Sequence, residues 1–223
     1  GIIPNNTLID VTGIPGTGPV SFGPATRSTT NNTSYKGWVM VGNPYPSAIS
    51  WPAMSALNPA LGATAYLWQS SGYYGGTLQP LSALLPGDNI ASSQAFQVEV
   101  LGPAPQSTTV QFANSIRTAG DPSFQRTAGN YEQRVDLVVE GNGFADKTHV
   151  LFLNGPTNGW DGKYDGRKQP SVAGQPTLFS YIGNDIMSIN ARPSFNSNGA
   201  SVPVGFMPGD SSTFEIRLDV NEG

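Results

Sequence analysis

The amino-acid sequence predicts an all-β protein built from two β-sandwich (jelly-roll-like) domains packed in tandem. Two features of the composition support this prediction: 27 glycines and 19 prolines occur among 223 residues, and charged residues make up only 12%. That charged share is roughly half of the usual one, and such a balance is typical of turn-rich β structure. The third feature is a series of short strand-like segments, which recur about every 8–15 residues with turn signals between them.

Ten segments have the β-branched, aromatic or alternating character of strands and are bounded by Gly, Pro or polar turn residues. They are residues 36–42, 64–69, 95–101, 108–112, 133–141, 148–154, 177–183, 186–191, 201–206 and 212–220. In the segment 133–141, Val135, Leu137 and Val139 share one face, and Arg134 and Asp136 lie on the other.

The last segment also alternates: Phe214, Ile216 and Leu218 share an apolar face opposite Glu215 and Arg217. Residues 52–62 form the one stretch with helical character, and Pro59 is expected to end it.

The uncharged segment GWVMVGNPYPSAISW, residues 37–51, predicts a strand followed by a rigid corner. Apolar residues occupy both faces of its first part, so we expect a central strand of a sandwich. The prolines of NPYP restrict the backbone of the corner. Asn43 is expected to bond its own backbone and start a turn, and Trp38, Tyr45 and Trp51 are expected to pack in the interior.

The distribution of charge divides the chain. Residues 1–115 carry five charged side chains, and residues 116–223 carry the other 21. A polar segment rich in turn residues, 117–130, lies near this change and is suited to a linker. The sequence therefore predicts one domain over residues 1–118, which holds the GNPYPSAI segment, and a second over residues 119–223.

Composition also excludes several classes of function. The chain has no cysteine, which rules out zinc–thiolate sites, disulfide frameworks and cysteine nucleophiles. Its net charge of −4 comes without a Lys/Arg cluster, so nucleic acid is not an expected partner. No apolar run approaches the ~20 residues of a membrane span. The sequence opens at Gly1 without a signal peptide, which fits a mature form, an excised fragment or a cytoplasmic protein.

The segment 37–51 resembles the GWNLVGNPYPSAIDW signature of large exported surface proteins of the Bacteroidota type, which are cargo of type IX secretion. The signature lies shortly before the C-terminal sorting domain in those proteins. Further similarities follow in the same order along the chain: AYLWQSSGYYGG (65–76), IASSQAFQVEV (90–100), VQFANSIRT (110–118), FQRTAGNYEQRVDLVVEG (124–141) and NGWDGKYDGRK (158–168). Ser50 stands where the family often has Asp, and Gly166 where it often has Ala.

This resemblance implies an extracellular, surface-attached location and a non-catalytic structural or adhesion module. It names no activity, and the sequence itself supplies no convincing catalytic residue. His149 is the single histidine, and in a strand it is expected to be a packed or edge residue. No G-x-S-x-G elbow or GK[ST] motif is present, so we expect that the chain is not an enzyme.

The segment NGPTNGWDGKYDGRK, residues 154–168, holds the best cluster of polar residues. Asn154, Asn158, Asp161 and Asp165 could supply oxygen ligands to calcium, although the central ligand of an EF-hand-type loop is missing. The alternative is a turn network in which the two aspartates cap turns. In that case Lys163, Arg167 and Lys168 would supply their counter-charge. No other cofactor is expected.

Three aromatic residues raise a second possible function. Tyr73 and Tyr74 lie in a glycine-rich hairpin, and Trp160 is next to Asp161. Such rings stack on the apolar faces of sugars in β-sandwich binding modules. The alternative function is therefore a carbohydrate-binding module, with or without calcium. The candidate partners are cell-surface glycans or copies of the chain itself.

Overall fold

The computed structural model describes residues 13–14, 16–29, 37–70, 76–85, 87–119, 132–141, 143–169, 174–194, 199–210 and 213–222. These residues form one helix, α1 (Trp51–Leu57), a short 3-10 turn (Asn114–Ile116) and the following strands: β1 (Val20–Arg27), β2 (Trp38–Gly42), β3 (Ile49–Ser50), β4 (Leu61–Ser70), β5 (Gly76–Ser82), β6 (Asn89–Ile90), β7 (Ala95–Val100), β8 (Gln106–Phe112), β9 (Gln133–Gly141), β10 (Phe144–Leu153), β11 (Gly166–Arg167), β12 (Thr177–Ile182), β13 (Asp185–Pro193), β14 (Val204–Met207) and β15 (Phe214–Glu222). The predicted all-β fold is confirmed.

The described strands before residue 118 form three antiparallel sheets around one apolar core. A four-stranded sheet has the order β2-β7-β4-β5, and two-stranded sheets pair β1 with β8 and β3 with β6. Phe96, Val98 and Val100 of β7 are buried against Trp51, and Phe112 of β8 belongs to the same core. Apolar faces meet across this core, which gives the first half a sandwich-like arrangement.

The strands after residue 132 form a single larger sheet. Its order is β14-β12-β13-β10-β9-β15, and β11 pairs with β13 beside this path. β10 and β13 are parallel, whereas the other pairs are antiparallel. Of the helices in the described ranges, none is long and apolar enough to cross a membrane.

The strand of the 37–51 segment is not central as predicted. β2 pairs with β7 alone among the described strands, so it lies at the edge of its sheet. Val41 is buried, but Met40 is 61% exposed. Both faces of this strand carry hydrophobic residues, but only one of them is buried, because Met40 faces solvent.

The corner after β2 forms as predicted. The backbone N–H of Tyr45 donates to Oδ1 of Asn43 at 3.0 Å, which closes the expected turn. Nδ2 of Asn43 donates to the carbonyl oxygens of Ser47 and Ala91, both at 2.9 Å. The ring of Tyr45 is buried, as is that of Trp51, so both pack as expected, whereas Trp38 is half-buried.

Helix α1 begins after Ser50, whose hydroxyl accepts from the backbone N–H of Ala53 at 3.4 Å. Pro52 lies in its first turn, where a missing N–H costs no helical hydrogen bond. The helix ends at Leu57, before Asn58 and the predicted stop at Pro59. Asn58 then joins the helix to β8, because its Oδ1 accepts from the N–H of Gln111 at 2.7 Å.

Burial in two strands runs against the hydrophobic pattern. In β9 the charged face is the more buried one: Asp136 is 0% exposed, while Leu137 is only half-buried. In β15 the apolar residues Phe214, Ile216 and Leu218 are 42%, 47% and 54% exposed. Charge pairing, described below, is what allows the polar face of β9 to be internal.

Candidate functional site

The loop 154–168 follows β10, includes the short strand β11 and contacts the first half of the chain. The backbone N–H of Ala63, in strand β4, donates to the carbonyl oxygen of Gly162 at an N···O distance of 3.0 Å. The polar residues predicted to be functional thus lie at a junction between the two halves. This position determines which groups each of them contacts.

Asp161 closes a turn inside the loop. Its Oδ2 accepts from the backbone N–H of Thr157 at 2.6 Å and from the hydroxyl of the same residue at 2.8 Å. The Thr157 hydroxyl in turn accepts from the N–H of Gly159 at 3.1 Å. Asp161 therefore holds the start of the loop in one conformation.

Asp165 is a buried carboxylate, 1% exposed. Its Oδ2 accepts from the N–H of Asp161 at 2.6 Å, and its Oδ1 accepts from the N–H of Ala191 in β13 at 2.8 Å. Burial raises the pKa of Asp165 to about 6, since it outweighs the two backbone hydrogen bonds, which lower this pKa; the nearby Asp161 charge raises it and Arg192 lowers it. Asp165 ties the loop to the large sheet.

The four candidate calcium ligands have separate surroundings. Asn154 and Asn158 are exposed, and Asn158 accepts from Nη1 of Arg192 through its carbonyl oxygen at 3.2 Å and its Oδ1 at 3.4 Å. Asp161 and Asp165 use carboxylate oxygens for the bonds described above. Across the described residues, no group of three or more His, Cys, Asp or Glu side chains is placed to hold a metal ion. Calcium binding by this loop stays a prediction.

The candidate sugar-stacking residues are only partly described. Tyr73 and Tyr74 lie outside the described residues. Trp160 is half-buried, and the guanidinium carbon of Arg167 lies 3.6 Å from the centroid of its ring. One face of Trp160 is therefore occupied by a cation–π contact within the chain.

Two of the three predicted counter-charges, Arg167 and Lys168, have other partners. Arg167 binds Glu99, and Lys168 binds Asp146 with Nζ 2.6 Å from a carboxylate oxygen. Neither is paired with Asp161 or Asp165, so this part of the sequence prediction is wrong. Both partners lie on other strands, and no local pattern in residues 154–168 indicates them.

Glu99 of β7 lies at the centre of an ion network that joins the two halves. Its Oε1 accepts from Nη1 of Arg27 at 2.8 Å and from Nη1 of Arg167 at 2.9 Å. The Glu99 side chain is almost fully buried, and charge-assisted hydrogen bonds of this kind are about twice as strong as neutral ones. Close to this network, the hydroxyl of Tyr66 donates to the carbonyl oxygen of Arg167, and burial raises the pKa of Tyr66 far above its usual value.

Apolar packing extends across the same junction. Leu85 from the first half shares a buried cluster with Leu151, Leu153, Ile189 and Ala191 from the second. Gly166 of β11 also packs closely against Thr64 of β4: a Cβ atom at Gly166 would lie 2.8 Å from Thr64 Cβ and 2.9 Å from its Cγ2. Only glycine fits this approach without displacing a neighbour.

A second buried ion network lies within the large sheet. Asp136 accepts from Nε of Arg134 at 2.9 Å and lies 2.7 Å from Nδ1 of His149. Burial opposes the charge of Asp136, but the hydrogen bonds from His149 and Arg134 prevail and hold its pKa well below the usual range. His149 is buried, as predicted, and sequence reasoning missed its partner because Asp136 reads as a surface position of an alternating strand.

A cleft of about 300 Å³ opens beside the loop. Its lining includes Phe152, Asn158, Arg192, Ser194 and Ser201. The lining thus combines an aromatic ring with amide, guanidinium and hydroxyl groups. Such a combination can hydrogen-bond polar ligands of modest size.

A family model described as a domain of unknown function (DUF8693) matches residues 74–223, which is more than half of the chain. The matched range begins before β5 and so includes strands of both halves. Neither the curated proteins nor the solved structures contain a match to this chain.

Proposed function

This chain belongs to the DUF8693 family of domains of unknown function, and we propose that it serves as a non-catalytic structural or adhesion module of an exported bacterial cell-surface protein. Its resemblance to type IX secretion cargo, set out above, supports the extracellular location. The structural role is supported by buried charged side chains that pair with one another inside the fold. Three buried carboxylates form ion pairs within the protein: Asp136 with Arg134, Asp146 with Lys168, and Glu99 with Arg27.

The observation that carries this proposal is the junction between the two halves. Glu99 binds Arg27 and Arg167 at once. The apolar cluster that includes Leu85 and the close approach of Gly166 to Thr64 also join the two halves. A spacer or anchor has to transmit force without parting in the middle. Buried charge pairs and interlocked packing across a junction meet that requirement, because separating the halves would remove Arg167 from the buried Glu99 side chain.

Single-molecule pulling tests this role directly. The chain is stretched from its two ends, and we expect both halves to unfold in one event. Glu99→Gln should lower the unfolding force or split the event, since a neutral amide holds two guanidinium groups less strongly. Glu215→Gln, at an exposed position of β15, is the matched control and should leave the event unchanged. Two independent events in the parent chain would argue against a force-bearing module.

The surface location needs a separate test. Antibodies raised against the purified chain should label intact cells of the bacterium that encodes it. Labelling that requires cell lysis would contradict an extracellular module. The result is independent of the pulling experiment, so the two parts of the proposal can fail separately.

The cleft beside the loop favours carbohydrate binding as the second candidate function. Arg192 and Asn158 offer hydrogen-bonding groups there, and Phe152 contributes an aromatic ring. The purified chain is applied to a broad glycan array with and without calcium. A structural module predicts no saturable binding in either condition, and a broad glycoside and ester substrate screen should show no turnover.

Saturable binding that disappears in Arg192→Ala would support the cleft. Binding lost instead in the double variant Tyr73→Ala and Tyr74→Ala would support the hairpin, and binding that depends on calcium and on Asp161 would support the predicted metal site. Any of these outcomes would replace the purely structural role with a sugar-binding one.

A further inference from the structure

Within the described residues, the last strand of the large sheet has an open edge and an apolar face that is largely exposed. β15 pairs with β9 and with no other described strand. Its residues Phe214, Ile216 and Leu218 are between 42% and 54% exposed, although they continue the face on which Val139 of β9 is buried. Phe214 packs against Phe206 of β14, with ring centroids 4.2 Å apart, and the described part of the chain leaves Ile216 and Leu218 of this face without a covering layer.

An open edge with such a face is ready to accept another strand. Unpaired backbone groups along an edge strand form ladder hydrogen bonds with a partner strand, and proteins usually block this with charges or bulges. β15 has a bulge between Leu218 and Val220. The regular part of the edge is therefore the five residues from Phe214 to Leu218.

Charge along this edge makes one pairing register self-complementary. In an antiparallel pair of two β15 strands centred on Ile216, Glu215 of each copy faces Arg217 of the other. Arg217 also pairs with Glu140 and Asp219 of its own chain, at 2.9 Å and 2.5 Å. Phe214 then faces Leu218, and Ile216 faces itself across the twofold axis. Facing side chains in an antiparallel pair lie about 4.5–5.5 Å apart, so opposite charges meet on one face and apolar side chains meet on the other.

The neighbouring register is unfavourable. A pair centred on Arg217 would place the two Arg217 side chains opposite each other. Like charges that face each other across a strand pair are destabilising. The sequence of this edge therefore distinguishes the two registers.

We infer that a second copy of this chain binds along β15, antiparallel and centred on Ile216, so that two large sheets join into one continuous sheet. A twofold pair is the commonest way for identical chains to associate, because one surface then binds its own copy. The inference goes beyond the proposed function and does not depend on it. A monomeric chain could still be a structural module.

Sedimentation velocity over a range of chain concentrations tests the pairing. The parent chain should shift from monomer to dimer as its concentration rises. Ile216→Lys places two ammonium groups together at the twofold axis and should weaken the dimer about tenfold or more. Met40→Lys makes the same kind of change at the exposed edge strand β2 and should leave the dimer intact. A parent chain that stays monomeric, or a dimer that tolerates Ile216→Lys, would overturn the inference.

Charge exchange tests the register. Glu215→Lys and Arg217→Glu should each prevent self-pairing, since each places like charges opposite each other in its own homodimer. An equal mixture of the two variants should form a heterodimer, in which both facing pairs again have opposite charges. Thermal melting of each variant checks that it is folded. If the mixture stays monomeric while the parent chain dimerises, the register centred on Ile216 is wrong.

Discussion

Asp165 and Asp136 are both buried carboxylates, yet their surroundings act on them in opposite directions. Asp136 has a guanidinium and an imidazole within hydrogen-bonding distance, which favour its charged form. Asp165 accepts from two backbone N–H groups, with the carboxylate of Asp161 and the more weakly acting guanidinium of Arg192 nearby. Burial therefore dominates at Asp165 and raises its pKa to about 6.

This raised pKa predicts a pH effect on stability. A carboxyl group with a folded-state pKa above its unfolded value of 3.8 binds protons more tightly in the folded protein. Its contribution to the free energy of unfolding therefore increases as the pH falls through 6 towards 3.8. We expect a gain of about 1 kcal/mol between pH 7 and pH 5, measured by urea unfolding.

Asp165→Asn isolates this effect. Its amide nitrogen cannot accept a backbone N–H, so the variant should be less stable than the parent at pH 7. The unfolding free energy of the variant should also lack the part of its pH dependence that Asp165 contributes. An unchanged difference in unfolding free energy between parent and variant at pH 7 and pH 5 would contradict the raised pKa.

Gly166 provides a second prediction for a single residue. A methyl group there would press on the Thr64 side chain, with its carbon 2.8 Å from Thr64 Cβ. Gly166→Ala should lower the free energy of unfolding by about 1–3 kcal/mol, and adding Thr64→Ala should restore part of the loss. Gly42→Ala is the control, because nothing lies within 4 Å of its added Cβ. Equal melting temperatures for all of these variants would show that the two strands are not in close contact.

Sequence patterns predicted turns and helix ends better than the position of each strand in its sheet. The turn at Asn43 and the end of α1 follow from local chemistry, namely an amide that bonds its own backbone and a proline that cannot continue a helix. The edge position of β2 does not follow from local chemistry, because an apolar strand has the same sequence pattern at an edge and at the centre of a sheet. The short strands β3, β6 and β11 were also missed, since two residues carry no periodicity.

The corner after β2 predicts a large effect from a small change. Asn43→Asp keeps the shape of the side chain and the acceptor for Tyr45, but it removes the donors to Ser47 and Ala91. Two carbonyl oxygens would then face a carboxylate, and we expect a loss of about 2–4 kcal/mol in unfolding free energy. Thermal melting checks this, with Asn154→Asp at an exposed position as the control. A similar melting temperature for both variants would mean that the corner does not depend on Asn43.

At the scale of the whole molecule, the connection between the halves could not be predicted. Glu99 is 72 residues from Arg27 and 68 from Arg167, and a single sequence contains no sign of pairs at such separations. The sharp change in charge density predicted domains of 1–118 and 119–223, and this division stays a prediction. The candidate site shows the same limit: local chemistry identified the 154–168 loop as polar, but its charge partners come from distant strands.

Hydrogen exchange measured by mass spectrometry at increasing urea concentrations shows whether the two halves act as one mechanical unit. Amides of β7 report on the first half and amides of β10 on the second. We expect both strands to lose protection at the same urea concentration, and Glu99→Gln to lower this concentration. Loss of protection in one strand while the other stays fully protected in the parent chain would contradict a single unit.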